Sequence, residues 1–113
     1  MDEIRMEGLK TELLDLIRNG KENAIKGRHL AEACGYRNDR VVRLAIGELI
    51  QDGHPIASST ESPAGYYFAT TISEVEEYAR SLRARVRQDA IRRRDFLRAS
   101  RSILQPGQLR MRV

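Results

Sequence analysis

The chain has 113 residues and a net charge of +4, with 41% hydrophobic and 32% charged residues. That composition fits one folded domain and excludes a disordered chain. A single cysteine excludes a disulfide framework. No apolar run approaches the roughly 18 residues needed to span a bilayer, and the charged start MDEIRMEGLK lacks the apolar stretch of a signal peptide. We therefore expect a cytoplasmic protein with no membrane partner.

A first helix is predicted by hydrophobic residues at spacings of three and four, which share one face: Met6, Leu9, Leu13, Leu16 and Ile17. The rest of its surface is expected to be polar and is occupied by Lys10, Glu12, Asp15 and Arg18. The pair Asn19–Gly20 predicts a C-terminal stop, because glycine accepts the left-handed conformation that ends helices.

Two further helices are predicted in the next thirty residues. After a short extended stretch, 24–26, Gly27 opens a second helix that Gly35 ends, with Leu30, Ala31 and Cys34 facing inward. Asn38 is expected to cap a third helix by accepting a backbone N–H, and Asp52–Gly53 ends it. Its apolar stripe is formed by Val42, Ile46, Leu49 and Ile50.

A hairpin and one long helix complete the predicted order. The extended runs are 55–58 and 65–69, and the turn-forming residues between them indicate a hairpin. Thr71 and Glu74 have the spacing of a capping box, and no glycine or proline follows before Pro106, so a helix is expected from about 72 to 103. The expected fold class is α+β and mostly helical, with a three-helix and hairpin domain at 1–71, a long helix at 72–104 and a disordered tail at 105–113.

This order of elements is typical of a winged helix-turn-helix. The stretch Ile25-Lys-Gly-Arg-His-Leu-Ala-Glu-Ala-Cys-Gly-Tyr36, followed by Val42, Ile46, Leu49, Gly53-His-Pro-Ile56 and Gly65-Tyr-Tyr67, resembles the winged helix of the biotin repressor and of small bacterial and prophage proteins built on that domain. The resemblance covers roughly residues 5–70 and implies binding to double-stranded DNA, in transcription regulation or replication.

The resemblance implies a groove-facing set on the third helix: Asn38, Asp39, Arg40, Arg43, Leu44 and Gly47. Helical spacing supports most of this set independently, because positions 39, 40, 43, 44 and 47 point outward when Val42, Ile46 and Leu49 point inward. Arginine suits bidentate contact with guanine or with phosphate. Contacts to the DNA backbone are expected from Arg28, Arg37, Ser58, Ser59 and Thr60.

Two features depart from the family pattern. Leu44 and Gly47 are apolar where the family more often has polar or basic side chains, so Leu44 is suited either to a thymine methyl or to a protein interface. The hairpin tip, Ser58-Ser-Thr-Glu-Ser62, has no lysine or arginine. We therefore expect the hairpin to add little affinity for DNA.

The long helix carries most of the positive charge. Residues 1–71 hold 9 Lys/Arg and 11 Asp/Glu, whereas residues 72–113 hold 11 Arg and 5 Asp/Glu. The spacing of Val75, Ala79, Leu82 and Val86 is that of a coiled-coil seam and predicts a homodimer, although it lasts only about two heptads. Arg80, Arg83 and Arg87 are predicted to lie along the same helix. They would contact nucleic acid, or form the solvent-exposed face of a helix that packs in a dimer or on the domain, and these two roles are compatible.

Other classes of function remain as alternatives. The net negative body, the uncharged hairpin tip and Leu44 also fit a protein–protein interaction module with the long helix as its dimerisation element. A ligand-responsive repressor would have to bind its effector at the dimer interface, because the chain has no second domain to hold one. No small-molecule ligand is expected. His29, Cys34 and His54 lack metal-ligand spacing, and no nucleophile has a base beside it, so we expect no metal, no cofactor and no enzyme.

Overall fold

A computed structural model of the chain describes residues 2–104 and has an α+β, mostly helical fold. Its elements are α1 (Glu3–Leu16), a 3₁₀ turn (Lys21–Asn23), α2 (Gly27–Ala33), α3 (Arg40–Gln51), β1 (Ile56–Ser59), β2 (Gly65–Phe68) and α4 (Ile72–Ala99). Two compact units are present, one ending at Tyr78 and the other starting at Ala79. The predicted tail at 105–113 lies outside the described residues.

The core of the first unit is formed by the inner faces of α1, α2 and α3 with one residue of β1. Its largest fully buried aliphatic side chains are Leu13, Leu30, Val42 and Leu49. The buried residues of α1 and of α3 recur at helical spacing, so the apolar stripes of these helices face the shared core. The core is mainly aliphatic, as expected for a chain without tryptophan.

Two predicted burial assignments are wrong. Ile50, assigned to the apolar stripe of the third helix, is 44% exposed, and Ala45 is buried in its place. Lys10, assigned to the polar surface of the first helix, is only 7% exposed. Its ammonium group is surrounded by carboxylates that come from two helices, so burial does not leave the charge unpaired.

The hairpin pairs β1 with β2 in antiparallel register, with Ile56 opposite Phe68 and Ser59 opposite Gly65. A third extended segment joins it, because Ile25 and Tyr66 exchange backbone hydrogen bonds of 3.0 and 2.8 Å. This confirms the extended stretch predicted before the second helix. Gly65 has a φ of +130°, and a Cβ built on it would overlap the Ile25 carbonyl group. Only glycine allows the two backbones to approach so closely.

The two faces of the hairpin pack differently. Tyr66 and Phe68 are half-buried against the helical core, whereas Tyr67 points the other way and is only 1% exposed. Burial raises the pKa of the Tyr67 hydroxyl, and the carboxylates of Glu74 and Glu77 lie close enough to raise it further. Tyr67 therefore lies near the first turns of α4, on the face of the hairpin that points away from the core.

The long helix begins as predicted and ends earlier than predicted. The Thr71 hydroxyl accepts the backbone N–H of Glu74 at 3.1 Å, which is one half of the expected capping box. The helix ends at Ala99 instead of near 103. Just after this end, the Ser100 hydroxyl and the Ser100 backbone N–H both donate to the Phe96 carbonyl, at 2.8 and 3.0 Å. Within residues 2–104, no helix combines the length and the apolar character needed to cross a membrane.

Candidate nucleic-acid interface

Helix α3 has one buried face and one exposed face. Val42, Ala45, Ile46 and Leu49 are each at most 4% exposed. On the opposite side the structure exposes four of the residues predicted to face a groove: Arg40, Arg43, Leu44 and Gly47. They follow the spacing 3, 1, 3, so they form one stripe along the helix.

The start of α3 is held by the two predicted residues that precede it. The Asn38 side-chain oxygen accepts the backbone N–H of Arg40 at 3.0 Å, although the residue at the N-cap is Asp39, one position later than predicted. Asp39 is half-buried beside Gly27 and lies 3.6 Å from the Arg43 guanidinium. Both side chains therefore orient the helix start and its arginines.

Positive charge is concentrated around α2 and the start of α3. Residues 26–44 contain five Lys/Arg and two Asp/Glu, a net charge of +3, while the rest of residues 1–71 has a net charge of −5. All five basic side chains are exposed: Lys26, Arg28, Arg37, Arg40 and Arg43. Residues 1–71 are therefore negative overall but contain a local excess of positive charge. We call residues 26–44 the basic segment.

Acidic side chains lie at the other end of α3, where they share one lysine. The Lys10 ammonium lies 2.7 Å from the Asp52 carboxylate, 3.6 Å from Glu48 and 3.2 Å from Glu7. The hydrogen bond that the Lys10 ammonium donates to Asp52 contributes most to raising the pKa of Lys10 above its ordinary value, so this lysine stays charged. The cluster leaves the N-terminal half of α3 as its electropositive end.

The hairpin loop offers fewer groups than predicted. Thr60 is exposed, but Ser58 and Ser59 are half-buried. The Ser59 hydroxyl is also engaged within the loop, since it accepts the backbone N–H of Glu61 at 3.1 Å. The one acidic side chain of the tip, Glu61, lies 3.7 Å from the Lys21 ammonium, and the tip itself has no basic side chain.

One residue of the exposed stripe was missed by the sequence reasoning. Gln51 is exposed and follows Gly47 by four residues and Leu44 by seven, so it lies on the same face of α3. Its carboxamide has the donor and acceptor pattern that pairs with adenine in the major groove. Its helical spacing is a sufficient signal, because position 51 falls on the face that positions 44 and 47 define.

The second unit is strongly basic in its own right. Its described residues, 79–104, include nine arginines and two aspartates, and Arg80, Arg83 and Arg87 are exposed, as are the predicted seam residues Val75, Ala79, Leu82 and Val86. Val86 is 70% exposed. No residue of α4 that the structure describes is buried.

Cys34 is the one free thiol of the chain. Burial, followed by the neighbouring Glu12, raises the pKa of the Cys34 thiol to about 11, so it is protonated at neutral pH. Across residues 2–104, histidine, cysteine, aspartate and glutamate side chains nowhere gather into a group that could hold a metal ion.

Comparisons with known proteins returned no match: no family model, no curated protein and no solved structure matches the chain.

Proposed function

We propose that this protein binds double-stranded DNA through the exposed face of α3, and that residues 1–71 form a winged helix-turn-helix of the biotin-repressor type. In this proposal α2 and α3 are the helix-turn-helix, α3 is the recognition helix and the hairpin is the wing. The order of the elements and the third extended segment beside the hairpin support it. It includes no enzymatic activity.

The main support for this proposal is the basic segment. A helix that buries four aliphatic residues and turns two arginines outward presents guanidinium groups that suit guanine edges and phosphates. Arg28 and Arg37 would contact the DNA backbone on either side. Leu44 would meet a thymine methyl, and Gly47, which has open space above its Cα, would let the helix lie deep in the groove.

The proposal includes a homodimer formed through α4 and a role in transcription regulation or replication. A two-fold dimer presents two copies of the recognition helix, so its target would be a palindrome. The arginines of α4 would add affinity without sequence preference, because phosphate neutralisation depends on charge and not on base identity.

The test is selection from a random duplex pool, followed by fluorescence anisotropy on the selected duplex at rising KCl. We expect R40E/R43E to weaken binding more than about 100-fold, since each lost base contact costs about 1–3 kcal/mol. R18E, which reverses an exposed arginine outside the basic segment, is the matched control and should change binding only a few-fold. Equal binding by R40E/R43E and the wild type, with unchanged circular dichroism, would disprove this interface.

A protein-interaction module is the second candidate. Leu44 is 57% exposed and Ile50 is 44% exposed, and both lie on the accessible side of α3. If selection yields no preferred duplex and L44E/I50E abolishes capture of a partner protein while leaving heparin retention unchanged, this second function is favoured.

A further inference from the structure

Helix α4 has a continuous seam of positions on one face, running from Val75 to Leu97. Its members are Val75, Ala79, Leu82, Val86, Ala90, Arg93 and Leu97, and we call them the α4 seam. At about 100° per residue they fall within a single stripe. Val75, Leu82 and Val86 are 51%, 42% and 70% exposed, so the aliphatic part of the seam is open to a partner.

The spacing of the seam is symmetric about Val86. The steps between successive members are 4, 3, 4, 4, 3 and 4, which read the same from either end. The extra step of four is a coiled-coil stutter, which keeps a seam on one face after the heptad pattern breaks at Asp89. Two copies of α4 running in opposite directions can therefore match every member, with Val75 opposite Leu97 and Val86 opposite itself.

The antiparallel arrangement also gives the interrupting arginine a suitable neighbour. With the pairing centred on Val86, Arg93 of one copy lies opposite Ala79 of the other, where a small side chain leaves room for the guanidinium to reach water. In a parallel, in-register pair Arg93 would face Arg93 of the second copy, which places like charges together in the seam.

The residues beside the seam include opposite-charge pairs in this orientation. On one flank, Glu76 of one copy falls beside Arg94 of the other, an opposite-charge pair that occurs twice in a two-fold dimer. The same flank places Arg83 beside Arg87 of the second copy, and these exposed side chains are long enough to extend apart into water. On the other flank, Arg85 falls beside Asp89 of the second copy, and Tyr78 beside Phe96. Within its own chain Arg94 lies 3.3 Å from Asp95, a contact in which both side chains are more than half exposed and which competes little.

We propose that the protein forms a two-fold dimer in which the two α4 helices run antiparallel, with the axis at Val86. The inference rests on the dimer that the proposed function includes, and it is independent of DNA binding. It specifies the partner as a second copy of this chain and assigns Glu76 and Arg94 as the pair that sets the orientation.

Disulfide cross-linking in full-length C34A protein distinguishes the orientations. V86C is expected to form a covalent dimer with itself. V75C and L97C are expected to cross-link when the two variants are mixed and not when either is oxidised by itself. A covalent dimer from V75C by itself would show parallel pairing. If the protein sediments as a monomer and V86C forms no cross-link, the dimer proposal is wrong.

A charge exchange gives a second, independent readout. E76R places two arginine pairs in contact across the antiparallel dimer and should raise the dimer dissociation constant about tenfold, as should R94E. The double variant E76R/R94E should return close to the wild-type value by sedimentation equilibrium. Additive loss in the double variant overturns the antiparallel register. Anisotropy with the selected duplex, run in parallel, reports separately on the DNA-binding proposal.

Discussion

The backbone N–H of Lys21 donates a hydrogen bond of 2.7 Å to Oε2 of Glu74, 53 residues further along the chain. The other oxygen of the same carboxylate accepts the backbone N–H of Thr70 at 2.9 Å. The Lys21 ammonium lies 2.6 Å from Glu77. Through these contacts the first turns of α4 are joined to the 3₁₀ turn beneath the hairpin, within the first unit.

The Glu74 carboxylate is predicted to make stability depend on acid pH. The backbone N–H groups of Thr70 and Lys21 hold the pKa of Glu74 below its ordinary value of 4.5. The folded state therefore gains stability above pH 4.5, and that gain is lost as pH falls through the lower folded-state pKa. E74Q should lower the melting temperature at pH 7 and flatten its decline between pH 5 and pH 3, measured by circular dichroism.

D15N is the control for this experiment, because it removes a carboxylate from an exposed position in α1, away from the α4 seam and its flanking pairs. Its acid dependence should match the wild type. If E74Q and the wild type lose stability in parallel on acidification, the contact between Glu74 and Lys21 does not hold in solution.

Replacing Lys10 is predicted to destabilise the first unit. K10M keeps the volume of the side chain but leaves the carboxylates of Glu48 and Asp52 without their shared cation. We expect the melting temperature to fall by roughly 5 °C. Adding D52N to K10M should restore part of the loss, and K26M, at an exposed lysine, should have little effect. A K10M protein as stable as the wild type would show that the cluster contributes nothing.

Two glycine substitutions are predicted to have opposite effects. G65A forces an unfavourable φ and a collision with the Ile25 carbonyl, so it should lose more than about 2 kcal/mol in urea unfolding. G8A should gain about 0.5–1 kcal/mol, because Gly8 lies inside α1 with nothing near its missing Cβ. Equal stabilities for the two variants would contradict the close approach of β2 to Ile25.

G47A tests the proposed DNA interface, and the stability of the variant shows that any loss of binding does not come from unfolding. Gly47 also lies inside a helix with open space around its missing Cβ, so G47A should stabilise the protein about as much as G8A. If α3 lies against a groove, the added methyl should weaken duplex binding in anisotropy, whereas G8A should leave binding unchanged. Unchanged binding by G47A would mean that this stretch of α3 does not approach DNA closely.

Removing charge from α4 is predicted to alter salt dependence without altering sequence preference. Arg80 and Arg98 lie outside the α4 seam and are exposed. If both contact phosphates, R80Q/R98Q should reduce the slope of log affinity against log salt by about 2 for each copy of the chain, about 4 for the dimer, and leave the selected sequence the same. A changed sequence preference would place these arginines at base edges instead.

Periodicity explains why much of the candidate site was predictable. The spacing of Val42, Ile46 and Leu49 determines which side of α3 faces inward, and the exposure of Arg40 and Arg43 follows from it. The start of α4 was predictable for a similar reason, since the bond between Thr71 and Glu74 joins residues three apart. These features depend on the geometry of one helix and need no knowledge of the rest of the chain.

Features that join distant parts of the chain could only come from tertiary structure. Lys10 sits three residues from Glu7 but meets Glu48 and Asp52 through the packing of α1 on α3. Gly65 is required by its approach to Ile25, and Glu74 completes its hydrogen bonds on Lys21. Local spacing determines which face of a helix is apolar. Which distant residue a side chain contacts depends on how the helices and strands pack against one another.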